Sequence, residues 1–150
     1  MSDIKSKESR SRNMSAIKNK NTKPEIYLRQ QLFRLGFRYR NNVPYLPGHP
    51  DIYLAKYNTA VFVNGCFWHR HKGCKFAYTP KSNVAFWEKK FRNNIERDAV
   101  VKNELKKAHI KCVIVWECTI KSMQKDDQIR KEVLKSLVEF FCENDLYLEM

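Results

Sequence analysis

The amino-acid sequence predicts an α/β protein, a mixed sheet with helices on its faces, in a single domain. Three observations carry that reading. Apolar residues recur at helical spacing in three separate segments, and short β-prone runs lie between them. Residues 111–117 (KCVIVWE) form a near-continuous apolar run, the pattern of a strand covered on both faces.

Taken in order, residues 1–12 are charged and serine-rich, and are expected to form a flexible basic arm able to follow a phosphate backbone. Residues 13–150 are then the folded domain. A helix should begin at Thr22, because TKPE is a capping-box pattern in which Glu25 reaches back to the helix start. Leu28, Leu32 and Leu35 follow at helical spacing, and Gly36 ends the run. FRYRN reads as a short strand, and NVPYLPGHP, with three prolines, as an irregular connection. DIYLAKY and AVFV are two β-prone runs joined at Asn58-Thr59, which suggests a hairpin. Val84, Trp87, Phe91 and Ile95 mark one face of a helix running to about Lys107. After the apolar strand, Ile129, Val133, Leu137 and Phe140 outline a last helix.

Composition narrows the function. Lys and Arg number 29 against 16 Asp and Glu, a net charge of +13. Such an excess favours a polyanionic partner, since each phosphate neutralised by a basic group releases a counterion. No run approaches the roughly 20 apolar residues of a membrane span. With no apolar leader at the start, the protein is expected to be cytoplasmic and free of the membrane. Five cysteines without a secretion signal point to metal or free thiols rather than a disulfide framework.

The densest chemistry lies in VNGCFWHRHKGC, residues 63–74. Cys66, His71 and Cys74 are three ligands at loop spacing for tetrahedral zinc, which takes four from thiolate and imidazole. Cys118 is the best fourth candidate; Cys112 reads as a buried thiol, and Cys142 falls in a helix that looks like core. By spacing, His69 could stand in for His71. A closed zinc site is structural, and it would stiffen a loop that presents Phe67 and Trp68 to a partner.

A second chemistry begins at Pro50-Asp51. A carboxylate at a strand start, facing the end of a neighbouring strand, suits Mg²⁺, which prefers oxygen ligands and bridges to phosphate. Asp51 is the candidate ligand, with the backbone carbonyl of Val63 beside it. His69 is placed to act as general base or acid, and His49 is a weaker candidate for that work. Glu25 has a sufficient explanation as a cap, although it could also reach water near the metal. Trp87 can be read equally as core or as part of an aromatic wedge.

Together GHPD, VFVNGCFWHRHKGC, FW followed by NNIERD, and VIVWEC resemble the very-short-patch mismatch repair (Vsr) endonuclease family, as does the upstream SRNMSAIKNKNTKPE. The resemblance runs in order from about Ser11 to Cys118. It implies a three-layer, restriction-endonuclease-like fold, a variant of the PD-(D/E)xK type, with Mg²⁺ for catalysis and a structural Zn²⁺. It implies nicking of the T-containing strand 5′ to a T:G mismatch left by deamination of 5-methylcytosine in double-stranded DNA. Residue by residue, Asp51 matches the metal-binding aspartate, His69 the catalytic histidine, and Glu25 the glutamate supporting the water network at the metal. Cys66, His71, Cys74 and Cys118 match the zinc ligands, which assigns His71 rather than His69. Phe67, Trp68 and Trp87 match the aromatics that wedge beside the mismatch. Lys89, Arg92, Asn93 and Asn94 are then candidates for contacts with phosphate or base edges. The family also implies a bacterial protein acting at the nucleoid, with a repair partner of the MutL type; a monomer is expected.

Two departures stand out. Where a PD-(D/E)xK nuclease carries an acid and a lysine, this chain has Phe62 and Asn64, and the family often has histidine at the position of Asn64. Asparagine can hydrogen-bond but cannot shuttle a proton. The loop also holds one residue more between His71 and Cys74 than the family pattern. Two alternatives follow: a zinc-containing DNA-binding protein with weak or no catalysis, or a related nuclease with a different DNA target.

Overall fold

A computed structural model describes residues 20–150. The arm expected at 1–12 lies outside the described residues. In chain order the elements are α1 (Lys23–Arg34), β1 (Arg40–Asn41), β2 (Ile52–Leu54), a 3₁₀ turn (Ala55–Tyr57), β3 (Thr59–Asn64), α2 (Val84–Lys107), β4 (Lys111–Trp116), α3 (Glu117–Lys125), α4 (Asp127–Cys142) and β5 (Tyr147–Glu149). The five strands form one sheet in the order β1-β2-β3-β4-β5. The first three are antiparallel neighbours; β3, β4 and β5 run parallel. The sheet is therefore mixed, as the sequence predicts.

Strand alternation sorts the core onto two faces. Ile52, Leu54, Val61, Val113 and Val115 point to one side and pack against α1, α3 and α4 through Leu28, Leu32, Ile120, Met123 and Leu137. Ala60, Phe62 and Cys112 point to the other, where Leu105 and Val101 of α2 cover them. Helices thus lie on both faces, and among the described residues α2 is the helix that covers the second. The Cys112 thiol is buried there, and burial pushes its pKa up to about 12.

The start of α1 follows the capping expectation with one shift. Thr22 Oγ1 accepts from the Glu25 amide at 3.5 Å, but Glu25 Oε2 accepts from the amide of Asn21 at 2.7 Å rather than from that of Thr22. Leu35 is the C-cap, and Gly36 follows with φ +94°. Gly48 is the glycine that packing requires. Its φ is +76°, and a Cβ there would sit 2.5 Å from Val101 of α2, so only glycine lets the proline-rich connection lie against that helix.

Four sequence expectations change. The hairpin turn is the 3₁₀ turn plus Asn58, whose φ of 49° places it in the left-handed region, and Thr59 already belongs to β3. The inner stripe of α2 is Trp87, Phe91, Asn94, Asp98, Val101 and Leu105; Val84 and Ile95 face solvent. Two of the inner positions are polar, which is why apolar periodicity drifts off the true face. Cys142 is exposed at the end of α4, not core. Two elements, α3 and β5, have no counterpart in the reading of the sequence.

Candidate active site

An open cleft of about 1310 Å³ runs from the start of α1 past the head of β2 and the end of β3 and on across β4 to β5, with α2 along its side. Glu25, Asp51, Val63, Asn64, Trp68, His69, Asn94 and Asp98 all line it, so four segments distant in sequence converge there. His49 lines it too, at φ 51° in the turn before Pro50. Phe67, Trp87, Lys89, Arg92 and Asn93 do not line it.

Asp51 stands at the head of β2. Its Oδ2 accepts from the Val63 amide at 2.7 Å, which ties the carboxylate to the end of β3. Burial, and then the neighbouring Glu25 carboxylate, push its pKa from 3.8 up to about 7. The Val63 amide and the charge of Arg29 pull in the opposite direction without prevailing. Two carboxylates held this close, with this penalty on ionisation, form a place that a hard cation relieves.

Arg29, which the sequence reading passed over, organises this corner. It is 7% exposed. Its Nη2 donates to the Asp51 carbonyl at 3.0 Å and to Asn42 Oδ1 at 3.2 Å, and lies 3.4 Å from Glu25 Oε2. Its Nη1 donates to Asn21 Oδ1 at 2.8 Å. One guanidinium therefore joins the start of α1, the end of β1 and the backbone of Asp51.

His69 has its partner on α2. Its Nδ1 lies 2.7 Å from Asp98 Oδ2. An ionised carboxylate only accepts, so the proton sits on Nδ1 and Nε2 is left as the basic nitrogen. Asp98 is a second residue missed from the sequence. It is an acid on the inner face of α2, one turn beyond Asn94, a face that shows only once the helix is packed. Asn94 is buried and its Nδ2 donates to the Trp68 carbonyl at 2.8 Å, so its amide holds the loop. Asn64 is 8% exposed at the end of β3, directly across from Trp116 of β4.

On the far side of the loop, the ligand atoms of Cys66, His71, Cys74 and Cys118 all lie within 4.8 Å of one another. Three thiols and an imidazole at this separation are the donor set and size of a tetrahedral structural zinc site. His69 takes no part, so the ambiguity resolves toward His71. Cys118 lies in the first turn of α3, and its amide donates to Cys66 Sγ at 3.4 Å. Burial, together with the crowding of the other thiols, pushes Cys66 up to about 12. The His71 ring stacks on Trp116, with centroids 4.2 Å apart and planes 7° from parallel, so the indole fixes its orientation.

Between cleft and cluster lies a block of aromatic rings. Phe67 contacts Trp68, Tyr78, Trp87 and Phe91 at centroid distances of 5.0 to 5.4 Å. Arg70 clasps the block, its guanidinium 3.9 Å above the Phe91 ring. It donates to the carbonyls of Phe67, Ala77 and Tyr78 at 3.3, 2.8 and 3.0 Å. Phe67 and Trp68 are consequently half-buried, not the freely exposed pair expected from the sequence.

Comparison with known proteins gives the arrangement its lineage. The family model of the DNA mismatch endonuclease Vsr matches residues 2–75. The type II nicking enzyme V.NmeAIP of Neisseria meningitidis serogroup A is 47% identical over 122 residues, 81% of this chain and 86% of that protein. The type II nicking enzyme V.XorIIP of Xanthomonas oryzae pv. oryzae is 36% identical over 123 residues, covering 82% and 90%. The DNA mismatch endonuclease Vsr of Escherichia coli K12 is 35% identical over 125 residues, covering 83% and 80%. Among the described residues no helix is long and apolar enough to cross a membrane. With this identity sustained over most of both chains, the protein belongs to the Vsr family and is a DNA nicking endonuclease.

Proposed function

We propose that this protein nicks one strand of duplex DNA by Mg²⁺-assisted phosphodiester hydrolysis, at a target of its own within the family's range. The meeting of Glu25, Asp51, Asn64 and His69 in one cleft, beside a block of aromatics, is the observation that carries the reading. Asp51 and the Val63 carbonyl would hold the cation, in a variant of the PD-(D/E)xK arrangement. Mg²⁺, when bound, supplies positive charge against the phosphate and polarises its oxygens.

The chain's own residues do the rest. Asp98 fixes the tautomer of His69, whose Nε2 takes a proton from the attacking water or returns one to the leaving oxygen. Glu25, held by Arg29, orients water beside Asp51. Asn64 stands where it can donate to a phosphate oxygen, leaving proton transfer to His69. Phe67, Trp68 and Trp87 replace the stacking lost when the duplex opens at the lesion, each base–ring contact being worth about 1–3 kcal/mol. Lys89, Arg92 and Asn93, on the outer side of α2, meet phosphate. Zinc on Cys66, His71, Cys74 and Cys118 would fill all four positions, and so would serve the loop and not the reaction.

The target has two readings. A mismatch target is supported by the descriptions of the family model and of the Escherichia coli relative, and its T:G identity comes from the sequence resemblance. The type II nicking enzymes among the relatives favour the alternative, a related nuclease with a different DNA target. A strand-labelled nicking assay with Mg²⁺ on T:G duplexes in several sequence contexts, and on matched T:A and C:G duplexes, separates them. One nick 5′ to the T supports the mismatch reading and names its context. A defined nick in matched DNA supports the alternative. Tight binding with no nick on any duplex overturns the catalytic assignment. Asp51→Ala should abolish nicking and leave binding in place.

A further inference from the structure

The aromatic block has an outer edge that the assigned wedge residues do not form. Phe67 touches four rings and lies near the Arg70 guanidinium, and it is half-buried. Trp87 is half-buried between Phe67 and Phe91. Two rings in contact with the block remain largely in solvent. Phe86, in the first turn of α2, is 58% exposed and meets Trp87 edge-on at 5.2 Å; Tyr78 is 44% exposed and meets Phe67 at 5.0 Å. A single exposed phenylalanine is ordinary. Here, however, Tyr78, Phe67, Trp87 and Phe86 form an unbroken chain of ring contacts whose two ends are wet.

We propose that Phe86 and Tyr78 form an outer stacking platform for a DNA base next to the nicked position, with Phe86 helping to determine specificity. The occupant is duplex DNA opened at its target. The net charge of +13 favours it, and Lys90 and Arg97 line the adjoining cleft where its backbone would pass. Every base has a π-face, so an exposed ring braced from behind by Trp87 accepts one without rearranging the block. Phe67 and Trp87 brace the platform from behind, and it extends the stacking surface that Trp68 presents at the cleft. The proposal rests on the DNA-nicking reading above and deepens it.

The test uses the full chain and duplexes carrying 2-aminopurine at each position flanking the nick, with binding and fluorescence read in Ca²⁺ and nicking in Mg²⁺. Phe86→Ala should leave thermal unfolding unchanged, since the ring is exposed. It should weaken binding to the target duplex about tenfold, leave binding to non-target duplex unchanged, and lose the stacking quench at one flanking position. Phe86→Trp should restore both, and Phe86→Leu, equally apolar but without a π-face, should not. Unchanged quenching in Phe86→Ala, equal loss on target and non-target duplexes, or full rescue by leucine would each overturn the platform. The two readings fail separately. A wild-type protein with no preference for T:G duplex removes the mismatch target, whereas the fluorescence result decides the platform on whichever duplex the protein nicks.

Discussion

Asp51 occupies a position where a carboxylate is costly without a cation. Its folded-state pKa of about 7 lies above its ordinary 3.8, because of burial and Glu25. Between those values the folded protein holds a proton that the unfolded chain gives up, so the contribution of Asp51 to stability is most favourable below about pH 4 and is lost as the pH rises to about 7. In Mg²⁺-free buffer, Asp51→Asn should match the wild type at pH 4 and exceed it at pH 8 by roughly 2–4 kcal/mol. Thermal melts across that range give the measurement. A gap that is constant with pH would mean that Asp51 is already compensated, and Mg²⁺ at pH 8 should narrow the gap by stabilising the wild type alone. At this scale the sequence pointed to residues that the fold does bring together, Asp51 and His69 in the cleft and the four zinc-type ligands in their cluster. Arg29 and Asp98 were not readable, because an arginine on a helix and an acid on a basic helix look like solvated surface until the fold brings them to Asp51 and His69.

Among the elements, the 65–80 loop depends most on something other than its own backbone. It leaves β3 at Gly65, returns through Cys74, and is tied to the first turn of α3 by Cys118. Arg70 and Asn94 fasten its aromatic side, so the metal-type cluster fastens the other. Removing zinc with a thiol-compatible chelator should expose the loop to proteolysis and flatten the near-ultraviolet circular dichroism of Phe67 and Trp68, while far-ultraviolet helix content stays near native. Cys74→Ser should reproduce this without chelator. Intact, protease-resistant protein that analyses free of zinc would refute the dependence. The same elements show what sequence reveals and hides. The boundaries of α1 and α2 were marked by Thr22 and by the run to Lys107. α3 was hidden because it follows Trp116 directly with no side-chain cap, and β5 because three residues make a weak pattern that parallel pairing with Cys112, Val113 and Ile114 completes.

For the molecule as a whole, the charge of +13 sets the terms of association. Binding to non-target duplex should fall steeply with salt, by roughly a thousandfold between 50 and 200 mM if about six phosphates are neutralised. The nicking rate of bound target should change far less, which single-turnover kinetics across the same salt range would show. A shallow slope would place the basic residues away from the DNA. The mixed α/β architecture was legible from periodicity alone, but the layering was not, since only the alternation of β3 and β4 reveals which helices lie on which face of the sheet. That arrangement has a consequence for how such a protein diversifies. The carboxylates are anchored on α1 and β2 through Arg29, whereas the rings stand on the 65–80 loop and the first turns of α2, and His69–Asp98 and Asn94–Trp68 fasten these two together. Rim rings such as Phe86 and Tyr78 stand on a different part of the scaffold from Asp51, so exchanging them would alter the reading surface while leaving the cutting apparatus in place, and new targets would then need only a few surface rings.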